Sequence, residues 1–365
     1  MEIHRLIRTA LAVQAVPAPA FREAERVAFL RELFDQIGLS EIEIDSEGNL
    51  LACAPGRPSP PVVVTAHVDS VFSMEEVWPA QERQGRLQGP GIGDNAVALA
   101  ALTEMGRDLL RQPAASPVWL VATVGEEGLG NLRGIRAVVD RFGSLPRAYV
   151  VLEGMAFGHV YHRALPSERF RIDVTTPGGH SWIHFGRPSA IHLLVELLSH
   201  VIQMPLPTVP RSSLNIGSIS GGSAINRLAH QATCEMELRS EEAETLRQLV
   251  VEMQSIVRPR QELETEIRLT HLGSRPGGEL PAAHPLVQAA RQAAQGEAEL
   301  PLTLKAGSTD ASWPLSLGLP AVCVGITRGG NAHSADEYVE VAPIGPGYRS
   351  ALALVRLASL LDPPS

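Results

Sequence analysis

Four apolar runs in this chain each lead into side chains that can hold a metal ion. "VVVTAHVD" ends in His67 and Asp69, "WLVATVGEE" in Glu126 and Glu127, and "YVVLEG" carries Glu153. "AVCVGITRGGNAHSADE" runs on through a loop to His333, and Asp94 sits in "GPGIGDNAVALAALTEM". Taken singly, each has an ordinary explanation, such as a histidine at a strand end or a solvated pair of glutamates. Together they form a pattern, because in open α/β sheets the ligand crevice lies beyond the carboxyl ends of the strands. Imidazole and carboxylate without thiolate suit zinc, manganese or cobalt rather than an iron–sulfur cluster.

The segment around Asp94 also mimics something else. Gly91-x-Gly93-x-x-Ala96 leading into a helix has the spacing of a dinucleotide fingerprint. That fingerprint must follow a buried strand, whereas "ERQGRLQ" before it is charged and polar. Asp94 at a helix N-terminus would moreover repel a phosphate. The glycines fit better as backbone freedom that turns the Asp94 carboxylate inward.

These residues need a scaffold that brings distant segments together. The runs named above are continuous rather than alternating, as expected of strands covered on both faces, and helical stretches such as Ala98 to Leu110 lie between them. A further helix is predicted from Glu23 to Gly38. This is an α/β pattern with a largely parallel sheet. Between Pro166 and Arg275 the pattern changes. Strand "RFRIDVT", a helix from about Pro188 to Met204, strands "SLNIGSIS" and "ATCEMELRS", a helix after Ser240 and strand "TEIRLTHL" follow in turn. That order is the split βαβ, ferredoxin-like arrangement, inserted into the first domain. The expected division is 1–165 and 276–365 for the α/β catalytic domain and 166–275 for a lid, with joints near Pro166 and Gly278.

A length of 365 residues agrees with two domains. The formal net charge of −9 argues against nucleic acid or anionic membrane as partner, since both need clustered Lys and Arg. No apolar run is long enough to span a bilayer. Arg5, Arg8 and "LAVQAVPAPA" loosely imitate a signal peptide, but Gln14 and Pro17 interrupt the apolar stretch. Cys53, Cys234 and Cys323 are scattered among apolar residues and read as reduced, buried thiols of a cytoplasmic protein.

"TAHVDSVF", "GIGDNAVA", "VGEEGLG", "VLEG", "PGGHSW" and "NAHSADEYV" resemble, in order and spacing, the di-zinc exopeptidase and deacylase family. That family includes peptidase T, glutamate carboxypeptidase, acetylornithine deacetylase and succinyl-diaminopimelate desuccinylase. The resemblance covers nearly the whole chain. It implies two divalent ions, Zn2+ in the first instance with Mn2+ or Co2+ as alternatives. His67 and Glu153 would hold one ion, Glu127 and His333 the other, and Asp94 would bridge, next to a cis peptide at Asp94-Asn95. Asp69, two residues from His67, would accept the imidazole N–H and fix its tautomer. Neighbours on an extended segment point opposite ways, so one of Glu126 and Glu127 can bind metal while the other faces the bridging water. The resemblance makes Glu126 the general base that passes the proton to the leaving amine. It makes His180 a donor to the oxyanion, in dimers often across the subunit interface. Asn226 and Arg239 would grip a substrate carboxylate, although the proline that usually follows the Asn is missing from "NRLAH". Asp310, in "GSTDASWP", looks more like the peptidase branches than the acetylornithine deacetylase branch and counts as a substrate contact.

Two lookalikes carry less. His192, Glu196 and His200 lie opposite the apolar stripe of their helix and read as a solvated face. Ser181 and Ser308 lack the Gly-x-Ser-x-Gly elbow of a serine hydrolase. The expected activity is a metal-dependent exopeptidase acting on short peptides, leaning to an aminopeptidase with a carboxypeptidase close behind. An N-acyl-amino-acid deacylase is the alternative enzyme. A non-catalytic binding protein on the same scaffold is the alternative of another class. A homodimer through the lid is implied by resemblance only.

Overall fold

The strand Val62–His67 is buried along its whole length, and its composition explains why. Val62, Val63 and Val64 are β-branched and have no polar atoms to satisfy, so they pack against neighbours on both faces of a sheet. A computed structural model describes residues 3–258, 260–262, 264–297 and 302–362 of the chain. It divides into two units, Met1–Ala164 with Gly278–Ser365, and Leu165–Gly277.

In the first unit, four central strands run in the order Val118–Thr123, Val62–His67, Ala148–Glu153 and Ala321–Gly325, all parallel. Leu50–Ala54 and then Ser40–Ile44 extend one side antiparallel. His159–Ala164 extends the other side antiparallel and pairs in parallel with Thr303–Gly307. The registers set His67 opposite Thr123 and Glu153 opposite Gly325, so the strands finish level. Helices Val97–Arg111 and Ile344–Ala358 both pack on Val62–His67 and Ala148–Glu153. Leu50, Leu51, Leu99 and Leu102 are fully buried in this core. Each such side chain contributes about 1.5–3 kcal/mol relative to an exposed one.

The helix predicted over 23–38 is Ala24–Ile37, ended by Gly38 at φ 82°, where a side chain would be strained. The helix expected from Ala98 is Val97–Arg111. Ile3–Gln14, which resembled a leader segment, is a helix whose Leu6, Ala10 and Val13 are buried in the core. Gln81–Arg83, Arg86–Gln88, Tyr338–Glu340 and Gly329–Gly330 form a small antiparallel sheet that sequence reading did not anticipate.

The second unit has strand order Ser212–Gly221, Gln231–Ser240, Ser167–Thr175, Thr265–Arg275, Arg260–Glu262, with every pair antiparallel. Helices Ala190–Val201 and Ala243–Val257 pack on it. Leu194, Leu198, Leu246, Leu249 and Met253 meet Ile172, Cys234 and Met236 in a core of its own. Burial alternates along Gln231–Ser240, as it must when helices cover one face only. Strand sequence and order together are those of the ferredoxin-like arrangement. Among the described residues, no helix is long and apolar enough to cross a membrane.

Candidate metal centre

The glycines around Asp94 work by letting backbones come close. Gly91 has φ 74°, a left-handed conformation that opens the turn. A Cβ on Gly154, directly after Glu153, would lie 1.9 Å from the Gly93 carbonyl oxygen, so only glycine permits this approach. Asn95 Nδ2 donates to the Leu152 carbonyl at 3.0 Å and fastens the loop to the same strand. The Asp94-Asn95 peptide is cis. The segment before the loop consists of two short surface strands, which removes the dinucleotide comparison.

Asp94 then divides its carboxylate between two histidines. Oδ1 lies 2.9 Å from His67 Nε2, and Oδ2 lies 3.1 Å from His333 Nε2. Glu153 Oε2 is 3.7 Å from the His67 nitrogen, while Glu127 Oε1 is 3.4 Å from that of His333. Two donor sets result, His67 with Glu153 and His333 with Glu127, sharing Asp94. His67, Asp94 and Glu127 each offer an atom within 4.8 Å of the others. Nitrogen and oxygen donors at this spacing fit a pair of divalent cations.

The electrostatics point the same way. Burial pushes the Glu127 carboxyl up to about 7, helped by the Asp94 charge, and burial pushes Glu153 up to about 7 as well. Asp94 is held below the usual carboxylate range because His333 and His67 outweigh its burial. The His67 ring is shifted upward, since the surrounding carboxylates of Asp69, Asp94 and Glu153 overcome the burial that disfavours its charge. Hydrogen bonds that the ring donates to Asp94 and Glu127 raise His333 to about 10. Crowded carboxylates around two imidazoles favour positive charge at their centre.

The Asp69 carboxylate is placed differently from expectation. His67 Nδ1 is 3.0 Å from the Asp69 backbone carbonyl and 3.7 Å from its carboxylate. A distance of 3.7 Å is too long for a hydrogen bond, so the carbonyl is the acceptor that keeps a proton on Nδ1 and turns Nε2 to the centre. The carboxylate instead accepts the amides of Glu126 at 3.0 Å and Glu127 at 2.7 Å. It fixes the backbone of the general-base candidate and of a candidate ligand at once. Glu126 is 5% exposed, and its charge acts on Glu127, Glu153 and Asp310. Asp310, expected to touch substrate, is 1% exposed and accepts the Thr123 hydroxyl at 2.6 Å. It holds the end of strand Val118–Thr123 through that hydroxyl, and burial raises its carboxyl to about 8.

A residue that sequence reading missed is Glu337. It is fully buried, and Oε1 accepts the amides of Gly93 at 2.7 Å and Asp94 at 2.9 Å. "NAHSADEYV" contains it, but its target lies 243 positions away in the chain. Only the pairing of Tyr338–Glu340 with Arg86–Gln88 shows why they meet.

The second unit holds the other three expected residues. His180 is exposed, and its Nδ1 accepts the amides of Trp182 at 3.2 Å and Ile183 at 3.4 Å. A neutral ring with Nδ1 as acceptor carries its proton on Nε2 and can donate from there. His180 pairs with Arg227, and the Asn226 carbonyl accepts the Ser181 amide at 3.0 Å, so His180 and Asn226 are neighbours. Arg239 donates to Glu237 at 2.5 Å near the other end of strand Gln231–Ser240. At ~3.3 Å per residue the strand carries it about 26 Å from Gln231. One small carboxylate therefore cannot touch Asn226 and Arg239 of the same chain.

Residues 63–357 match the sequence profile of Peptidase family M20/M25/M40. The chain belongs to that family. It is accordingly a hydrolase of a family with dinuclear metal-binding peptidases among its members. It is 25% identical over 338 residues to an acetylornithine deacetylase of Photorhabdus laumondii, covering 87% of this chain and 85% of that protein. Among solved structures it is similar to a tripeptidase of Staphylococcus aureus, with TM-score 0.78 and 21% identity over 98% of this chain and 99% of that one. It is also similar to a dinuclear metal binding peptidase of Bacillus subtilis, with TM-score 0.64 and 16% identity over 98% and 99% of the two chains.

Proposed function

We propose that this family member is a two-metal exopeptidase of short peptides, leaning to an aminopeptidase. The observation that carries the reading is the division of the Asp94 carboxylate between His67 and His333. Two divalent ions, zinc foremost, would be held by His67, Glu153, Glu127, His333 and Asp94, and would polarise the scissile carbonyl and acidify a water in the site. Glu126 takes the proton of the attacking water and returns it to the leaving amine. The Asp69 carboxylate keeps Glu126 and Glu127 in place through their amides. His180 donates from Nε2 to the oxyanion of the tetrahedral intermediate. Its separation from Arg239 favours a homodimer, in which one chain supplies Arg239 and its partner supplies His180 and Asn226. The buried free thiols of Cys53, Cys234 and Cys323 favour the cytoplasm.

The residues around Asp310 and the likeness to a tripeptidase support the peptidase reading. Arg239 supports a carboxypeptidase next, because its forked donors suit a free carboxylate. An N-acyl-amino-acid deacylase is the second reading, and the likeness to an acetylornithine deacetylase favours it. The test is turnover by metal-reconstituted protein of a free tripeptide, its N-acetylated form, its C-terminal amide and N-acetylornithine, with Glu126→Ala as the blank. An aminopeptidase cuts the amide and not the acetylated peptide; a carboxypeptidase does the reverse. Cleavage of N-acetylornithine alone makes the protein a deacylase. Absence of metal-dependent turnover on all four supports a binding protein on this scaffold.

A further inference from the structure

Arg26 is a buried charge with no part in the chemistry described above. It lies in the first turn of helix Ala24–Ile37 and is 1% exposed, on the same side as the buried Val27, Leu30 and Phe34. A guanidinium on the apolar face of a helix is costly unless its donors and its charge are matched. Its donors are matched by carbonyls. Nε donates to Val16 O at 2.7 Å, and Nη1 donates to Val68 O at 2.7 Å.

Val68 is the residue between His67 and Asp69. Arg26 thus grips the carbonyl of the Val68-Asp69 peptide, one residue on from the expected metal ligand. The charge that acts on it is that of Asp69, itself fully buried; burial brings the guanidinium down to about 10, so it remains a cation at neutral pH. Asp69 in turn sets His67 through its carbonyl and sets Glu126 and Glu127 through its carboxylate. A single buried cation therefore stands behind both sides of the centre.

We propose that Arg26 is a positioning residue for the metal centre, clamping the Val68 carbonyl and offsetting the Asp69 charge so that His67 and the Glu126-Glu127 pair stay aligned. This rests on the reading of His67 as a metal ligand. The plain alternative is that Arg26 only docks its helix. Lysine keeps the charge but has no rigid fork with which to hold two carbonyls.

The experiment compares full-length wild type, Arg26→Met and Arg26→Lys. Zinc titration by calorimetry, the absorption spectrum of the cobalt-reconstituted protein, kcat with KM, and thermal melting are measured on each. Arg26→Met is expected to bind one of the two ions about 10–100-fold more weakly, since removal of groups supporting a metal ligand has effects of that order. Its cobalt spectrum should change, and kcat should fall at saturating metal with KM little altered. Arg26→Lys should lie between the two. Wild-type affinities, spectrum and kcat in Arg26→Met, with only the melting temperature lowered, would overturn the proposal. If Arg26→Met does not fold, Arg26→Lys decides: a weakened ion and altered spectrum support the proposal, and wild-type values overturn it. A wild type that binds neither zinc nor cobalt instead removes the metal reading itself.

Discussion

Glu337 accepts a hydrogen bond from the backbone amide of Asp94 at 2.9 Å. The segment that carries His333 therefore also anchors the loop that carries the Asp94 carboxylate facing it. Glu337→Ala would leave two buried amides without an acceptor, at about 1–3 kcal/mol each. We expect kcat to fall about 10–100-fold with a loss of bound metal. Glu337→Gln retains a carbonyl oxygen and is expected to lose less. Steady-state kinetics and metal content of the purified variants check both.

Glu126 makes a different prediction because we read it as the general base and not as a ligand. Glu126→Gln should lower kcat by about 10²–10⁴. Metal stoichiometry should stay at the wild-type value. A variant that loses metal along with turnover would return Glu126 to the ligands.

Metal affinity should depend on pH with a definite sign. Burial holds Glu127 and Glu153 up to about 7, so below that pH both carboxyls are protonated and an entering cation must displace their protons. Affinity is expected to fall as pH drops through about 7, by about tenfold per unit for each proton displaced, and to go on rising more shallowly above it until the His333 ring, raised to about 10, has lost its proton. Calorimetry in buffers of different ionisation enthalpy counts the protons released.

Asp310 carries a stability signature of its own. Its folded value of about 8 lies above the ordinary unfolded value of about 3.9, so between these the folded chain holds a proton that the unfolded chain has lost. Stability then falls with rising pH across that window, by about 1.4 kcal/mol per unit for one proton. Asp310→Asn should flatten the slope. Urea denaturation of the chelator-treated protein between pH 5 and 8, as an assay range on the order of this window, checks it.

Much of the architecture was legible because it follows from local patterning. Val62–His67 and Ala321–Gly325 are continuous apolar runs, and such runs form buried parallel strands almost regardless of what lies far away in the chain. The helices over 24–37 and 97–111 announce themselves by period and by Gly38. The small sheet around Tyr338–Glu340 gave no such signal, since its strands are two or three residues long and half exposed. Arg26 was illegible for the opposite reason. A charged residue in an amphipathic helix is expected on the solvated face, and only the carbonyls of Val16 and Val68 explain its burial.

The sequence by itself determined which residue types stand at the ends of the buried strands, and hence which donors the chain could offer to a cation. Tertiary structure alone decided how those donors are shared. It split the Asp94 oxygens between two histidines, gave the His67 proton to a backbone carbonyl, and set Asp69 on the amides of Glu126 and Glu127. It also buried Asp310 against the Thr123 hydroxyl and set Arg239 at the far strand end from Asn226. The reason is one of range. Strand and helix patterns depend on neighbours a few positions apart, whereas a hydrogen bond between Glu337 and Asp94 joins residues 243 positions apart and exists only once the chain between them has folded.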